Sequence, residues 1–362
     1  MEHIKGVAYS NSIDKVRDIR LDILRFFGIV CIVLAHVSPP DLLFQLRNFD
    51  VPLMVLVSGT AFSISSRSEV TYGKYLSKRL NRLLTPTWIF LTGFFLVIYI
   101  FSVIMSREYP FTINTILSSY SLTSGIGYVW IVRVFLITAM VSPFLLYLSR
   151  KIKSNVLYFA MIAAIYGAYE LSFLVFGYTD NTFLSFVLEN FIYVLLPYGC
   201  LAALGMRIPK MRNKTIMSMM FFFSILFCSL ALILYSNGFT QTQDYKYPAR
   251  LYYISYALFI TLILYLLSNG KLFVKIFSNK AVKFISFSSF WIYLWHIFYL
   301  YFWSEIKKLL PFSLDAFYIN FIIVFSLSCV TTYIQRKLVE RASFKTGSEN
   351  GVVKAISKAL LG

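Results

Sequence analysis

The sequence predicts an all-α fold, a polytopic transmembrane helical bundle of about ten spans with N and C termini cytoplasmic. Three observations predict it: mean hydropathy is +0.70, only 14% of the 362 residues are charged, and apolar windows of membrane-crossing length recur from end to end. The formal charge of +18 does not point to nucleic acid, because the basic residues form no long run and sit between apolar segments.

Taken in order, residues 1–19 form a polar, cytoplasmic N-terminal segment. It lacks the apolar core of a signal peptide, so the first apolar stretch reads as a span. Spans are expected near 20–38, 49–66, 84–106, 128–148, 155–178, 183–206, 215–237, 250–268, 284–304 and 316–335. Together they make one transmembrane domain over 20–335, followed by a cytoplasmic tail over 336–362 too short to be a second catalytic domain. Loop charges set the orientation. Of the 34 lysines and arginines, the outward set of loops holds only Arg47, Arg107, Lys246, Arg250, Lys307 and Lys308, and nearly all the rest lie in the alternate loops. That asymmetry orients the chain; the expected setting is the cell inner (cytoplasmic) membrane, crossed many times, with membrane lipids as its surroundings and no nucleic-acid partner. Cys31, Cys200, Cys228 and Cys329 lie in apolar stretches without metal-ligand spacing, so they read as small buried hydrophobes and no metal site is expected.

The first span carries the chemistry. In RDIRLDILRFFGIVCIVLAH, Arg25 and His36 are eleven residues apart, almost three helical turns, and share one side of the helix about 16 Å apart along its axis. Asp22 joins that stripe. An arginine in hydrocarbon costs about 2.5–3.5 kcal/mol on insertion scales, so the stripe is expected to face a protein interior or a wet cavity. His36 is the natural proton acceptor at neutral pH and is assigned the role of general base.

Other segments carry two readings each. Arg79 and Arg82, at i, i+3 on a helix entering the membrane, are either positive-inside anchors or a pair converging on a polyanion. Pro52, Ser58 and Gly59 loosen and thin the second span, and close packing is the better reading. Trp130 marks an interface; Arg133, one turn deeper, either snorkels outward or turns inward to an anionic or sugar-like substrate. Glu170 and Glu189 are either protonated structural groups or partners for an arginine. The ninth span, FSSFWIYLWHIFYLY, reads first as an interfacial aromatic belt and second as a sugar platform that includes Tyr293, and His296 within it is either a packing residue or part of a site.

In sequence and spacing these pieces resemble the acyltransferase-3 family of integral-membrane acyltransferases. The resemblance runs nearly end to end: D-x-L-R and R-x10-H from Asp22 to His36, VPLMVLVSG from Val51 to Gly59, R-x-x-R at Arg79 and Arg82 with Pro86, W-x-x-R and SP at Trp130, Arg133, Ser142 and Pro143, IYLWH from Ile292 to His296, and an acid at Glu340. It departs at Met54-Val55, where the family has an aromatic pair, and at Val134 after Arg133, where one branch has aspartate. The resemblance implies transfer of an acyl group, usually acetyl, from acetyl-CoA as co-substrate to a hydroxyl of a cell-surface or exported polysaccharide or its lipid-linked glycan precursor, with no bound cofactor. It implies chemistry at His36 with Arg25 and Asp22, CoA phosphates on Arg79 and Arg82, and acceptor contacts at Trp130, Arg133, Tyr293 and His296. The residues alone also fit a different class, a proton-coupled secondary transporter or a glycan flippase, and dependence of activity on acyl-CoA separates the two.

Overall fold

The computed structural model describes residues 18–66, 71–176, 181–235, 238–308, 315–345, 357 and 359–361, and no strand occurs among them. α1 (Ile19–Ala35) begins where the Asp18 carboxylate accepts the Arg20 N–H at 3.0 Å, which satisfies an otherwise orphaned first-turn donor. A short α2 (Asp41–Leu46) leads into α3 (Asp50–Ser65). α4 (Tyr72–Ile104) is the longest helix and contains Pro86; beside the backbone bond the ring removes, the Thr87 hydroxyl donates to the Leu83 carbonyl at 2.7 Å. After α5 (Ile113–Tyr120) come α6 (Trp130–Lys151) and α7 (Asn155–Phe176). α8 (Thr182–Val187) passes through a π-helical turn, Leu188–Ile192, into α9 (Tyr193–Arg207). Such turns redirect the side chains on them, here Glu189 and Asn190. α10 (Asn213–Leu234), α11 (Leu251–Leu267), α12 (Lys271–Phe277), α13 (Lys280–Phe287), α14 (Ser289–Lys307) and α15 (Phe317–Lys345) complete the order.

Every expected span window contains a helix, but the windows are not ten equal crossings. Among the described residues seven helices are long and apolar enough to cross a membrane, counting α2 with α3 and α8 with α9. Two bent pairs, α11 with α12 at 93° and α13 with α14 at 78°, raise the number to nine. α1, at 17 residues, is shorter than these. Residues 271–283, expected as a basic loop, instead fold as two short helices turned away from their neighbours, with Phe273 stacked on Phe27 at 5.8 Å. α15 also continues past the expected boundary at 335 to Lys345.

α3 lies at the centre and packs on α1, α6, α9 and α11. Its close approach to α9 depends on two glycines. A Cβ on Gly59 would lie 2.3 Å from the Ala202 carbonyl oxygen, and one on Gly205 would lie 2.1 Å from that of Leu56. Thr60 bridges the two helices, its hydroxyl 2.8 Å from the Gly205 carbonyl. α1 and α14 run in the same direction, because Asp22 near the start of α1 takes the hydroxyl of Ser286, just before α14, and His36 at the end of α1 reaches His296. At the chain's other end, the carbonyl of buried Ala359 accepts the Trp291 indole N–H at 3.0 Å, and Arg336 donates to the Leu361 carbonyl at 2.6 Å. The end of the tail therefore docks on α14 and α15.

Candidate functional site

At the end of α1 the helix stops on His36, and Ser38 turns the chain out with a φ of 53°, in the left-handed region. His36 is thereby presented to a cavity of 310 Å³ with Tyr128, Tyr301, Ser304, Lys307 and Asn320 on its walls. Behind it lies His296, fully buried on α14, whose Nε2 is 3.2 Å from His36 Nδ1. His296 Nδ1 in turn bonds the backbone carbonyl of Tyr293. A carbonyl only accepts, so Nδ1 carries the His296 proton and Nε2 is left as an acceptor. His36 Nδ1–H then donates to it, which leaves the His36 Nε2 lone pair available. Tyr128 packs edge-on against His36 with ring centroids 5.0 Å apart. It is held by a tight loop in which Gly125 (φ 61°) sits over Ser119, where a Cβ would meet the hydroxyl at 2.1 Å.

A second cavity, of 490 Å³, lies toward the start of α1. Arg25, Arg79 and Arg82 line it together, with Ile29, Ile32 and Met54 as an apolar wall and Ser58, Ser286 and Ser289 as hydroxyls. Arg25 pairs with buried Asp22 at 3.5 Å, and Asp22 accepts from Ser286 at 2.9 Å. Gly28 leaves room for the Met54 side chain, whose sulfur would be 2.6 Å from a Cβ there. Tyr293 also lines this cavity, while its hydroxyl donates to the Tyr128 carbonyl and its own carbonyl anchors His296. Tyr293 thus stands between the two cavities.

A third cavity, of 460 Å³, is lined by Trp130, Arg133, Glu189, Tyr193, Lys246 and Tyr247 among others. Tyr128 and Trp130, two residues apart, face different cavities, so the segment joining them is a shared wall. Arg133 donates to the Thr123 carbonyl at 2.9 Å and to Asn190 on the π-helical turn. Behind this cavity Asp50 is buried and accepts from Arg47 at 3.0 Å, from Lys246 at 3.3 Å and from the Val51 N–H at 2.7 Å. Asn48, Thr242 and Gln45 complete the network.

A family model described as Acyltransferase domain, Acyl_transf_3, matches residues 18–334, nearly the whole chain. The chain belongs to the acyltransferase-3 family. Membership supports acyltransferase activity broadly, in a multi-pass membrane protein. No curated protein and no solved structure matches the chain.

In this acyltransferase the residues singled out from the sequence fall in three places. The structure brings Arg25, Arg79 and Arg82 together, and separately His36 and His296. It does not bring Arg25 and His36 onto one cavity: the stripe they share is a helix face that opens at both ends and is closed between. Trp130 and Arg133 sit in the third cavity, apart from Tyr293. Glu170 is a helix-capping partner, 2.7 Å from Arg250 and 2.6 Å from the Leu251 N–H, and Glu189 lines the third cavity. Sequence reasoning missed Tyr128 and the Arg47–Asp50–Lys246 network. Arg47 and Asp50 at i, i+3 were a visible signal; Lys246, counted among outward loop charges, was not.

Proposed function

We propose that the chain transfers an acyl group, acetyl in the first instance, from acyl-CoA to a hydroxyl of a cell-surface or exported polysaccharide or its lipid-linked precursor, with His36 as general base. The observation that carries this is the His36–His296 contact of 3.2 Å, anchored on the Tyr293 carbonyl, which leaves the His36 Nε2 lone pair beside a cavity. His36 takes the proton of the acceptor hydroxyl as its oxygen attacks the thioester carbonyl. The tetrahedral intermediate then collapses, the C–S bond breaks, and the imidazolium returns the proton to the leaving thiolate. Lys307, which lines the same cavity and pairs with Asp315 at 3.2 Å, is a cation available to the oxyanion.

The inner cavity suits the donor. Three guanidinium groups match the phosphates of CoA, and the apolar wall of Ile29, Ile32 and Met54 suits an extended pantetheine arm running the roughly 16 Å between the Arg25 and His36 levels. The basic loops favour the cytoplasmic side of an inner membrane for this end and for both termini, the side on which acyl-CoA is made. His296, expected among substrate contacts, is read instead as the residue that holds His36 in its basic tautomer.

The test is transfer of labelled acetyl from acetyl-CoA to glycan in membranes carrying the wild-type chain or His36→Ala at equal expression. Label in the glycan that disappears with His36→Ala is expected. Label retained in the variant removes His36 from the chemistry, and a wild type that leaves the glycan unlabelled in membranes containing both glycan and labelled acetyl-CoA rejects the donor.

A further inference from the structure

The third cavity plays no part in the proton transfer or in holding the donor, yet it is built as a binding site. Its walls combine rings and fixed charges: Trp130 and Tyr247 meet edge to face at 4.9 Å, and Tyr193 stacks on Phe173 at 4.3 Å. Such rings offer flat apolar faces to the C–H side of a sugar, with phenol groups at the edge. Its volume of 460 Å³ is within the range of small-molecule sites.

The charge on these walls is positive. Arg133 and Lys246 line the cavity against a single carboxylate, Glu189. Lys246 does share Asp50, but Asp50 also takes Arg47, so that one carboxylate serves two cations. Arg133 makes its bonds to neutral oxygens, the Thr123 carbonyl and the Asn190 side chain, and its Nε is buried with no hydrogen-bond partner among the described residues. A buried guanidinium nitrogen without an acceptor is costly, so Arg133 keeps unused hydrogen-bonding capacity beside the cavity. The π-helical turn adds to the site by carrying both Asn190, which steadies Arg133, and Glu189, which can accept from sugar hydroxyls.

We propose that this cavity is a subsite for an acidic sugar residue of the acceptor, its ring against Trp130 and Tyr247 and its carboxylate or phosphate on Arg133 and Lys246. The inference rests on the reading of the acceptor as a glycan. The wall from Tyr128 to Trp130, which separates this cavity from that of His36, makes it a neighbouring subsite: the acid is held here, and the hydroxyl that reacts belongs to an adjoining part of the same glycan.

The test is binding to the purified full chain in detergent, followed by tryptophan fluorescence and calorimetry with no acyl donor present. The probes are methyl glucuronide, its neutral methyl ester, glucose 6-phosphate, inorganic phosphate, and vesicles of phosphatidylglycerol. Expected is binding of both acidic sugars about tenfold tighter than the neutral ester, loss of that preference in Arg133→Gln, and a several-fold gain for the acid in Glu189→Gln. The second variant keeps the proposal testable if the first does not fold. Equal binding of acid and ester, inorganic phosphate matching the acidic sugars, or binding of phosphatidylglycerol vesicles without sugar binding overturns it. His36→Ala, on a separate cavity, is expected to bind the acid like wild type, so failure of acetyl transfer and failure of this subsite are read independently.

Discussion

Replacing His296 by phenylalanine keeps an aromatic ring of similar size in a fully buried position but removes both ring nitrogens. Two bonds disappear: the one to the Tyr293 carbonyl and the one of 3.2 Å with His36 Nδ1. His36 Nδ1–H then loses that acceptor, and the tautomer with its proton on Nε2, the wrong one for a base, is less strongly disfavoured. Losing a buried hydrogen-bond partner costs about 1–3 kcal/mol. If that cost falls on the reactive arrangement, the rate drops roughly 5- to 150-fold at 1.36 kcal/mol per decade. The assay is steady-state acetyl transfer by purified protein, with the thermal midpoint of unfolding measured on the same preparation. Because neither His296 nor His36 lines the arginine cavity, KM for the acyl donor is expected to stay unchanged while kcat falls. A folded His296→Phe protein with wild-type kcat would refute the argument that His296 sets the tautomer of His36.

Three other outcomes follow from the geometry. Asp50→Asn leaves Arg47 and Lys246 facing each other without their shared carboxylate; destabilisation of about 3–5 kcal/mol is expected, read as a lowered thermal midpoint in detergent. Gly59→Val forces α3 from α9 at a point where a Cβ already overlaps the Ala202 carbonyl, and overpacking of about 1–3 kcal/mol or loss of folded protein is expected by size-exclusion yield; unchanged yield and midpoint would mean the helices sit farther apart. Arg79→Gln with Arg82→Gln is expected to raise KM for acyl-CoA, by about tenfold or more for each charge-assisted bond to phosphate that is removed, with little change in kcat, and an unchanged KM would take the donor away from this cavity.

The sequence was informative where the signal is local. Each apolar window holds a helix because window length and hydropathy act over contiguous residues, and the pairing of Arg79 with Arg82 follows from helical spacing alone. It was uninformative where distant segments meet. Nothing near His36 announces His296, 260 residues away, and nothing near Asp50 announces Lys246, which lies in a connecting segment and counts there as one more surface charge. The bends between α11 and α12 and between α13 and α14 escaped for another reason. Lysines at 271, 275, 280 and 283 mark a non-membrane stretch equally well whether it is coil or crosswise helix, and only packing such as Phe27 on Phe273 decides. The division into three cavities was likewise hidden, since a shared helix face fixes direction but not what blocks the space between two residues on it.

The position of Tyr293 has a bioenergetic consequence. A bundle with a cavity toward each end of α1 contains most of a pore, and a continuous aqueous path along α1 would let protons and small ions run down the membrane potential. The bond from the Tyr293 hydroxyl to the Tyr128 carbonyl, with Ile29 and Ile32 below it and the histidine pair above, puts a plug in that path. A seal of this kind need yield only to a narrow, uncharged arm and can close behind it. Proteoliposomes holding a pH gradient would register its failure in Tyr293→Ala as a leak, even with no acyl donor or acceptor present.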